Sequence, residues 1–211
     1  MVANALSSIH QLTPAEIGVV IGVMFLSSAL VQIPFGIMLD RFGARRMIVG
    51  WSSVAIIGTV IFGLAETSSG LTVGRTLIGI GHGASITGVY LVALAWASPE
   101  RVASVAATTI AVAGALGGMI GTAPLAASIQ YIGFTDTFLY LAVVSLLSSI
   151  LIWFFVDDRP PGTRIENTKE NSRAAILGLL EVIKDRNLWP IFAMALCFSV
   201  PFATIGGLWV G

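Results

Sequence analysis

The stretch GIMLDRFGARR, from Gly36 to Arg46, is the part of this sequence that decides its fold. It closes an apolar run of about twenty residues, the length of a membrane-spanning helix. A cluster of arginines directly behind such a run marks the point at which a chain leaves a hydrophobic environment. The positions that carry the pattern are Gly36, Asp40, Arg41, Gly43, Arg45 and Arg46.

The composition indicates a protein of the lipid bilayer. Of its 211 residues, 56% are hydrophobic and only 10% are charged, whereas a soluble domain carries about 25% charged residues. The formal net charge of zero gives no reason to expect a nucleic-acid partner. The single cysteine, Cys197, has no second cysteine to pair with, and no Cys/His cluster has the spacing of a metal site. We therefore expect neither a metal ion nor a cofactor.

Long apolar segments divide the sequence. Each is long enough to cross about 30 Å of hydrocarbon as a helix. They predict an all-α, polytopic transmembrane helix bundle with about six spans. The segments are residues 17–39, 47–65, 71–96, 102–129, 135–156 and 188–211.

Lys and Arg residues alternate along the connections between these segments. Ten of the eleven lie in residues 40–46, 98–104 and 157–187, whereas the connections 66–70 and 130–136 have none. Cytoplasmic loops of membrane proteins carry the excess of basic residues. We therefore expect the three basic connections to be cytoplasmic, in a multi-pass protein of the inner or plasma membrane.

Three stretches resemble a single family. GIMLDRFGARR resembles the signature between the second and third helices of the major facilitator superfamily: Gly, three residues, Asp-Arg, one residue, Gly, one residue and two basic residues. RTLIGIGHG, with Arg75 and its spaced glycines, is similar to the family's fourth-helix pattern. GALGGMIGTAP, from Gly114 to Pro124, is similar to the glycine-rich fifth helix, although the adjacent Gly-Pro pair of the antiporters is absent. Topological anchoring alone would explain the arginines of the first stretch, but not its two glycines.

The resemblance implies a fold of twelve helices in two halves, with the substrate between the halves near the middle of the membrane. On that fold, residues 1–156 are the N-terminal half without its first helix. Residues 157–187 are a cytoplasmic central loop with an amphipathic helix, and residues 188–211 begin the C-terminal half. We expect the chain to be truncated at both ends, so that missing helices or a partner chain are needed for a complete transporter.

The resemblance also implies a function. It is secondary active transport of a small solute by alternating access, coupled to a proton or solute gradient. The six signature positions would then form a conformational lock on the cytoplasmic side. An enzyme is not expected, because the sequence shows no nucleophile–base pair, nucleotide loop or metal cluster. The alternative is a non-transporting membrane protein, either a truncated remnant or a half-size subunit or sensor that pairs with another chain.

Candidate cavity residues come mainly from the segment 71–96. On a continuous helix of about 100° per residue, Arg75, His82 and Tyr90 share one face, and a charge within a span is a functional hypothesis by default. Arg75 would contact an anionic substrate or a carboxylate, and His82 would take part in proton coupling. The structural alternatives are an ion pair near the outer interface for Arg75 and a neutral packing role for His82. Gln32 is a further candidate, either for substrate contact or for interhelical hydrogen bonding.

Glycines three or four residues apart predict close contacts between helices. Small residues allow helix backbones to approach one another in a membrane. The glycines with this spacing that we expect at helix contacts are Gly79, Gly83, Gly114, Gly117, Gly118 and Gly121.

Overall fold

Helices make up almost all of the described chain. The computed structural model describes residues 12–83, 85–121, 123–158, 184–190 and 193–194, and no strand occurs among them. Residues 2–163 form one compact unit, and residues 164–211 belong to a second. The helices of the first unit are α1 (Pro14–Phe42), α2 (Ala44–Leu64), α3 (Ser68–His82), α4 (Ser85–Trp96), α5 (Val102–Ile120), α6 (Ala123–Ile132) and α7 (Phe134–Phe155).

Five helical segments in the described residues are long and apolar enough to cross a membrane. They confirm the all-α, multi-pass fold and match the first five predicted segments. The third and fourth segments each contain two helices, α3 with α4 and α5 with α6. The segments are Pro14–Gln32, Ala44–Leu64, Ser68–Trp96, Val102–Ile132 and Phe134–Phe155.

The second unit is described only in part. It contains a short 3₁₀ turn, Arg186–Leu188. The predicted amphipathic helix of the central loop lies outside the described residues. The sixth predicted span, residues 188–211, also lies outside them except for residues 188–190 and 193–194.

The signature stretch is helical almost throughout, which differs from the loop expected for residues 40–46. α1 begins with a capping box between Thr13 and Glu16 and continues through Pro34 to Phe42. Gly43 alone separates it from α2, and its N–H donates to the carbonyl of Leu39. The turn is this short because Gly43 has φ +84°, a backbone conformation that reverses the chain at little cost only for glycine.

Two of the predicted spans are interrupted. α3 ends at His82, where the N–H of Gly83 donates to the carbonyl of Gly79, and α4 begins at Ser85. α5 ends at Ile120, and α6 begins at Ala123. Proline lacks a backbone N–H and is best accommodated in the first turn of a helix, which is where Pro124 lies in α6. The second interruption therefore agrees with the position of Pro124, although α1 accommodates Pro34 without a break.

The core lies between α1, α2, α3 and α7, and three aromatic rings form its centre. The centroid of the Phe62 ring is 4.8 Å from that of Phe138 and 5.5 Å from that of Phe134. Leu71 of α3 and Val20 of α1 are buried against the same cluster. Each ring pair adds about 0.5–1.5 kcal/mol to the stabilisation from burial, so this cluster fixes the positions of the four helices.

The helices α5 and α6 bury much less of their surface than the four helices of the core. Of α5, only Val102 and Ala106 are buried, and α6 has no buried residue. Large apolar side chains such as Leu116 and Met119 are exposed on α5. In water such a surface would favour aggregation, whereas the hydrocarbon core of a membrane solvates it. The exposed apolar surface therefore agrees with a membrane environment.

Candidate functional site

The signature stretch contributes a polar cluster at one end of the helix bundle. Gly43 forms the turn between α1 and α2, and a Cβ atom built on it would lie 2.6 Å from Oδ2 of Asp158. The positive φ strongly disfavours any other residue, and a larger side chain would also have to displace the Asp158 carboxylate. The chain therefore requires glycine at position 43 chiefly for its backbone conformation.

Asp158 caps the N-terminus of α2 from a distant part of the chain. The helix has no side-chain cap of its own, because its N-cap residue is Gly43. Instead, the backbone N–H of Arg45 donates to Oδ1 of Asp158 at 2.5 Å. A carboxylate at this position satisfies a free N–H group and interacts favourably with the positive end of the helix dipole. The end of α7 is thereby joined to the start of α2.

The side chain of Arg45 extends this cluster. Its Nη1 lies 3.2 Å from Oδ1 of Asp157, and its guanidinium carbon lies 5.4 Å from the centroid of the Trp153 ring. The indole N–H of Trp96 donates to the backbone carbonyl of Asp157 at 3.0 Å. Nε of Arg45 is buried without a hydrogen-bond partner. Residues at the ends of α2, α4 and α7 thus meet around one guanidinium group.

The other four signature residues have no side-chain contact with this cluster among those that the structure describes. Asp40 and Arg41 lie on the last turn of α1, and the description of these two residues is limited to the backbone. Arg46 is exposed on the first turn of α2. Gly36 lies within α1, and an added Cβ atom would have nothing within 4 Å. Of the six predicted lock residues, the structure therefore brings Gly43 and Arg45 together in one cluster.

Asp157 and Asp158 are functional candidates that the sequence analysis missed. Their partners are more than one hundred residues away along the chain, so no local spacing pointed to them. A signal was nevertheless present in the sequence. Two acids directly follow an apolar run, and their predicted position is on the same, cytoplasmic side of the membrane as Arg45.

Arg75 lies inside a predicted span and contacts an aromatic ring and a thioether sulfur, both uncharged. Its guanidinium carbon is 4.5 Å from the centroid of the Phe62 ring, a cation–π geometry. Its Nη1 is 3.5 Å from the sulfur of Met24, and its Nε is buried without a hydrogen-bond partner. Within the described residues, no carboxylate forms an ion pair with Arg75. The arginine is therefore held in place without being neutralised by that part of the chain.

The other candidate cavity residues do not gather around Arg75. His82 ends α3, is exposed, and has Nδ1 3.1 Å from the carbonyl oxygen of Ile78. Tyr90 is exposed on α4, and Gln32 is exposed on α1. The single face predicted for Arg75, His82 and Tyr90 assumed one continuous helix, and the interruption at Gly83 removes that assumption.

The predicted packing glycines fall into two groups. A Cβ atom on Gly79 would overlap the side chain of Ser27 and the carbonyl of Met24, and one on Gly83 would lie 2.7 Å from the carbonyl oxygen of Ser28. These two glycines therefore line the contact of α3 with α1. The glycines of α5 are in open space or meet only their own helix: Gly114, Gly117, Gly118 and Gly121.

No metal site is formed by the described part of the chain. Nowhere in it do three His, Cys, Asp or Glu residues come together in a group that could hold an ion. In the described residues, the Arg45 cluster therefore offers an ion pair, and the Arg75 site offers a charge without an ion-pair partner.

The sequence of this chain is similar to those of several known transporters. An uncharacterised transporter of Buchnera aphidicola (subsp. Schizaphis graminum) is 31% identical over 157 residues, which are 74% of this chain and 39% of the relative. The inner membrane transport protein YajR of Escherichia coli is 43% identical over 67 residues, 32% of this chain and 15% of the relative. A human synaptic vesicular amine transporter is 28% identical over 94% of this chain and 39% of its own length.

The chain thus spans about two fifths of the length of the Buchnera and human relatives. The family profile of the Major Facilitator Superfamily matches residues 1–210. The polytopic helical fold and the signature stretch agree with that match. This chain belongs to the Major Facilitator Superfamily.

Proposed function

We propose that this chain is part of a secondary active transporter, which moves a small solute across the plasma membrane by alternating access. A proton or solute gradient drives the movement. The observation that carries the proposal is the cluster around Arg45, where the family signature joins the ends of α2, α4 and α7. A transporter that alternates between two states needs contacts that are present in one state and lost in the other.

The cluster has the properties of a conformational lock. The pair between Arg45 and Asp157 is largely exposed, with 30% and 69% of the respective side chains accessible, and such pairs contribute about 0–1 kcal/mol. The cap from Asp158 to the Arg45 N–H adds about 1 kcal/mol. Together the two contacts amount to about 1–2 kcal/mol, which changes the ratio of two states by a factor of roughly 5–30 and is easily reversed. In this proposal Gly36, Asp40, Arg41 and Arg46 complete the lock in a state that includes other helices.

Arg75 is proposed as the recognition site for an anionic group. Its charge faces no carboxylate in the described residues, and an unpaired charge is expensive in a membrane interior. A carboxylate from the solute, or from a helix outside this chain, would offset that cost. His82 is proposed for proton coupling, and Gln32 and Tyr90 are proposed for solute contact, because their side chains are exposed and polar.

The test is solute uptake into proteoliposomes that contain the protein encoded by the natural gene. The human relative is named as an amine transporter, so radiolabelled tyramine represents cationic solutes. Radiolabelled succinate represents the anionic class suggested by Arg75. Uptake is measured with an imposed pH gradient and again after an uncoupler has collapsed it, with protein-free liposomes as the blank.

Accumulation of a solute above its external concentration, lost on uncoupling, would support a gradient-driven transporter. Equilibration unaffected by the gradient would support transport but contradict the coupling. If a screen over both solute classes shows no flux while the reconstituted protein retains its helical circular dichroism, the alternative applies. The protein would then be a non-transporting remnant, or a half-size subunit or sensor that acts with another chain.

A further inference from the structure

A cavity adjoins the Arg45 cluster at one end, where Trp96 belongs to both. It is a partly open cleft between α2, α4, α5 and α7, with a volume of about 410 Å³. Its walls are mainly apolar, with Val89 of α4 on one side. Trp96 forms part of the end nearest the Arg45 cluster, and its ring is held there by the hydrogen bond to Asp157. The volume lies in the range of about 300–1,000 Å³ that is usual for small-molecule sites.

Three hydroxyl groups from three different helices line this cavity. They belong to Ser52 of α2, Ser85 of α4 and Thr109 of α5. No hydrogen bond of these hydroxyls is found within the described part of the chain. Along α4, Ser85 lies about 16 Å from Trp96, so at least this hydroxyl is placed deep, away from the Trp96 end.

Several other hydroxyl groups in the spans are satisfied by their own helix. Thr59 donates to the carbonyl of Ala55, and Ser149 donates to that of Ser145. This bond to the residue four positions earlier is the usual solution where water is absent. The three hydroxyls of the cavity are therefore available to an occupant.

Charge narrows the class of that occupant. The residues that line the cavity are all uncharged, and the nearby guanidinium of Arg45 is already paired with the carboxylate of Asp157. An ion would lose its hydration without finding a counter-charge. A neutral molecule with one or two polar groups would gain apolar burial and hydrogen bonds together.

We propose that this cavity binds a neutral, mainly apolar small molecule of about ten to twenty non-hydrogen atoms, which is held by hydrogen bonds to Ser52, Ser85 and Thr109. A membrane helix is a poorer fit, because a helix about 10 Å wide fills about 420 Å³ in a single turn. A lipid acyl chain is also a poorer fit, because it leaves all three hydroxyls without partners. The inference does not depend on the transport proposal, since binding at this site is measured without any gradient.

The experiment uses the full chain in nanodiscs of zwitterionic lipid and the neutral probe 2-naphthol. Equilibrium dialysis measures binding, and empty nanodiscs correct for partition into lipid. We expect saturable binding of 2-naphthol and little binding of its anionic analogue 2-naphthoate. Equal uptake by loaded and empty discs, or equal binding of the anion, would overturn the proposal.

Matched variants locate the site. Thr109→Val keeps the shape of the side chain and removes its hydroxyl, so we expect a two- to tenfold loss of affinity, about 0.4–1.4 kcal/mol. The control is Thr108→Val, because Thr108 does not line the cavity. Val89→Trp fills the cavity and should abolish binding, whereas Leu94→Trp on the exposed face of the same helix should not.

Circular dichroism and gel filtration check that each variant folds. If Val89→Trp does not fold, the comparison of Thr109→Val with Thr108→Val decides alone. Saturable binding that is equal in these two variants would place the probe elsewhere and overturn the assignment.

Discussion

The guanidinium carbon of Arg75 lies 4.5 Å from the centroid of the Phe62 ring, and Phe62 is itself completely buried at the centre of the aromatic cluster. The ring provides the electron-rich face that attracts a cation when water is excluded, an interaction of about 2 kcal/mol or more. It offsets much of the cost of an unpaired charge in a membrane interior, about 2.5–3.5 kcal/mol on insertion scales, but Nε of Arg75 still has no hydrogen-bond partner in the described residues. In the described residues Arg75 is thus oriented without being fully compensated.

The first prediction concerns this imbalance. Arg75→Met keeps an unbranched side chain but removes the charge, so we expect it to raise the thermal unfolding midpoint in detergent by about 2–4 °C for each kcal/mol gained. Under the proposed function the same variant loses transport. A residue that weakens stability but supports activity is typical of a functional site. The control is Arg75→Lys, which keeps the charge and should not raise the midpoint. A drop in stability for Arg75→Met would instead show that the arginine is a structural residue with a partner elsewhere.

The second prediction compares two glycines of the signature stretch. Gly43→Ala meets both a positive φ and the Asp158 carboxylate, so we expect a loss of at least about 1–2 kcal/mol in the free energy of unfolding. Gly36→Ala lies in a helix interior with open space around it and should be neutral or stabilising by up to about 1 kcal/mol.

Thermal unfolding of the two alanine variants in the same detergent makes the comparison. Equal destabilisation would show that the turn at Gly43 is not what the motif requires. If Gly36→Ala is stable but inactive in uptake, Gly36 acts in a different conformation of the transporter.

The spans could be predicted from the sequence because their signal is local. Runs such as Phe134–Phe155 are almost wholly apolar, and length alone identifies them. The interruption between α3 and α4 was not predicted, because apolar residues continue on both sides of Gly83 and no proline marks the end of a helix there. The interruption at Pro124 had a local signal in the proline itself, but the apolar run around it was interpreted as a single span.

The candidate site was less predictable, because its partners are distant in the chain. The spacing of the signature singled out Arg45 but said nothing of Asp158, which reaches the same turn from 113 residues away. Tertiary packing determines which distant residues come into contact. The contact of Arg75 with Phe62 was not predictable for the same reason, because it arises from the packing of α2 against α3 and not from any spacing within either helix.

The third prediction separates the two acids at the end of α7. Asp158 caps α2 through a backbone N–H, so Asp158→Ala should lower the free energy of unfolding by about 0.5–2 kcal/mol. Asp157 makes an exposed ion pair, so Asp157→Ala should cost about 0–1 kcal/mol.

Salt provides the control for this comparison. The difference between Asp157→Ala and the unaltered chain should shrink as ionic strength rises, because an exposed pair is screened. The hydrogen bond of the cap should be affected less. Unfolding midpoints in low and high salt test both statements, and a larger effect for Asp157→Ala than for Asp158→Ala would contradict the assignment of the cap.

The fourth prediction concerns the predicted packing glycines, which the structure divides by their surroundings. At Gly79 an added methyl group would overlap the backbone of α1, so Gly79→Ala must displace one helix from another. We expect a loss of about 1–3 kcal/mol in the free energy of unfolding, in the range found for overpacked cores. Gly118→Ala on α5 meets nothing within 4 Å and should be neutral or stabilise the isolated chain by up to about 1 kcal/mol.

If the natural gene encodes a longer protein, a comparison of this chain with that protein extends the test. If α5 contacts further helices in the full protein, Gly118→Ala should become destabilising there, although it is harmless in this chain. Thermal unfolding of Gly79→Ala and Gly118→Ala in both proteins gives four values. A loss for Gly79→Ala in both, and for Gly118→Ala only in the longer one, would assign the α5 glycines to a contact with helices outside this chain. If Gly118→Ala is harmless in both proteins, its spacing has no packing role.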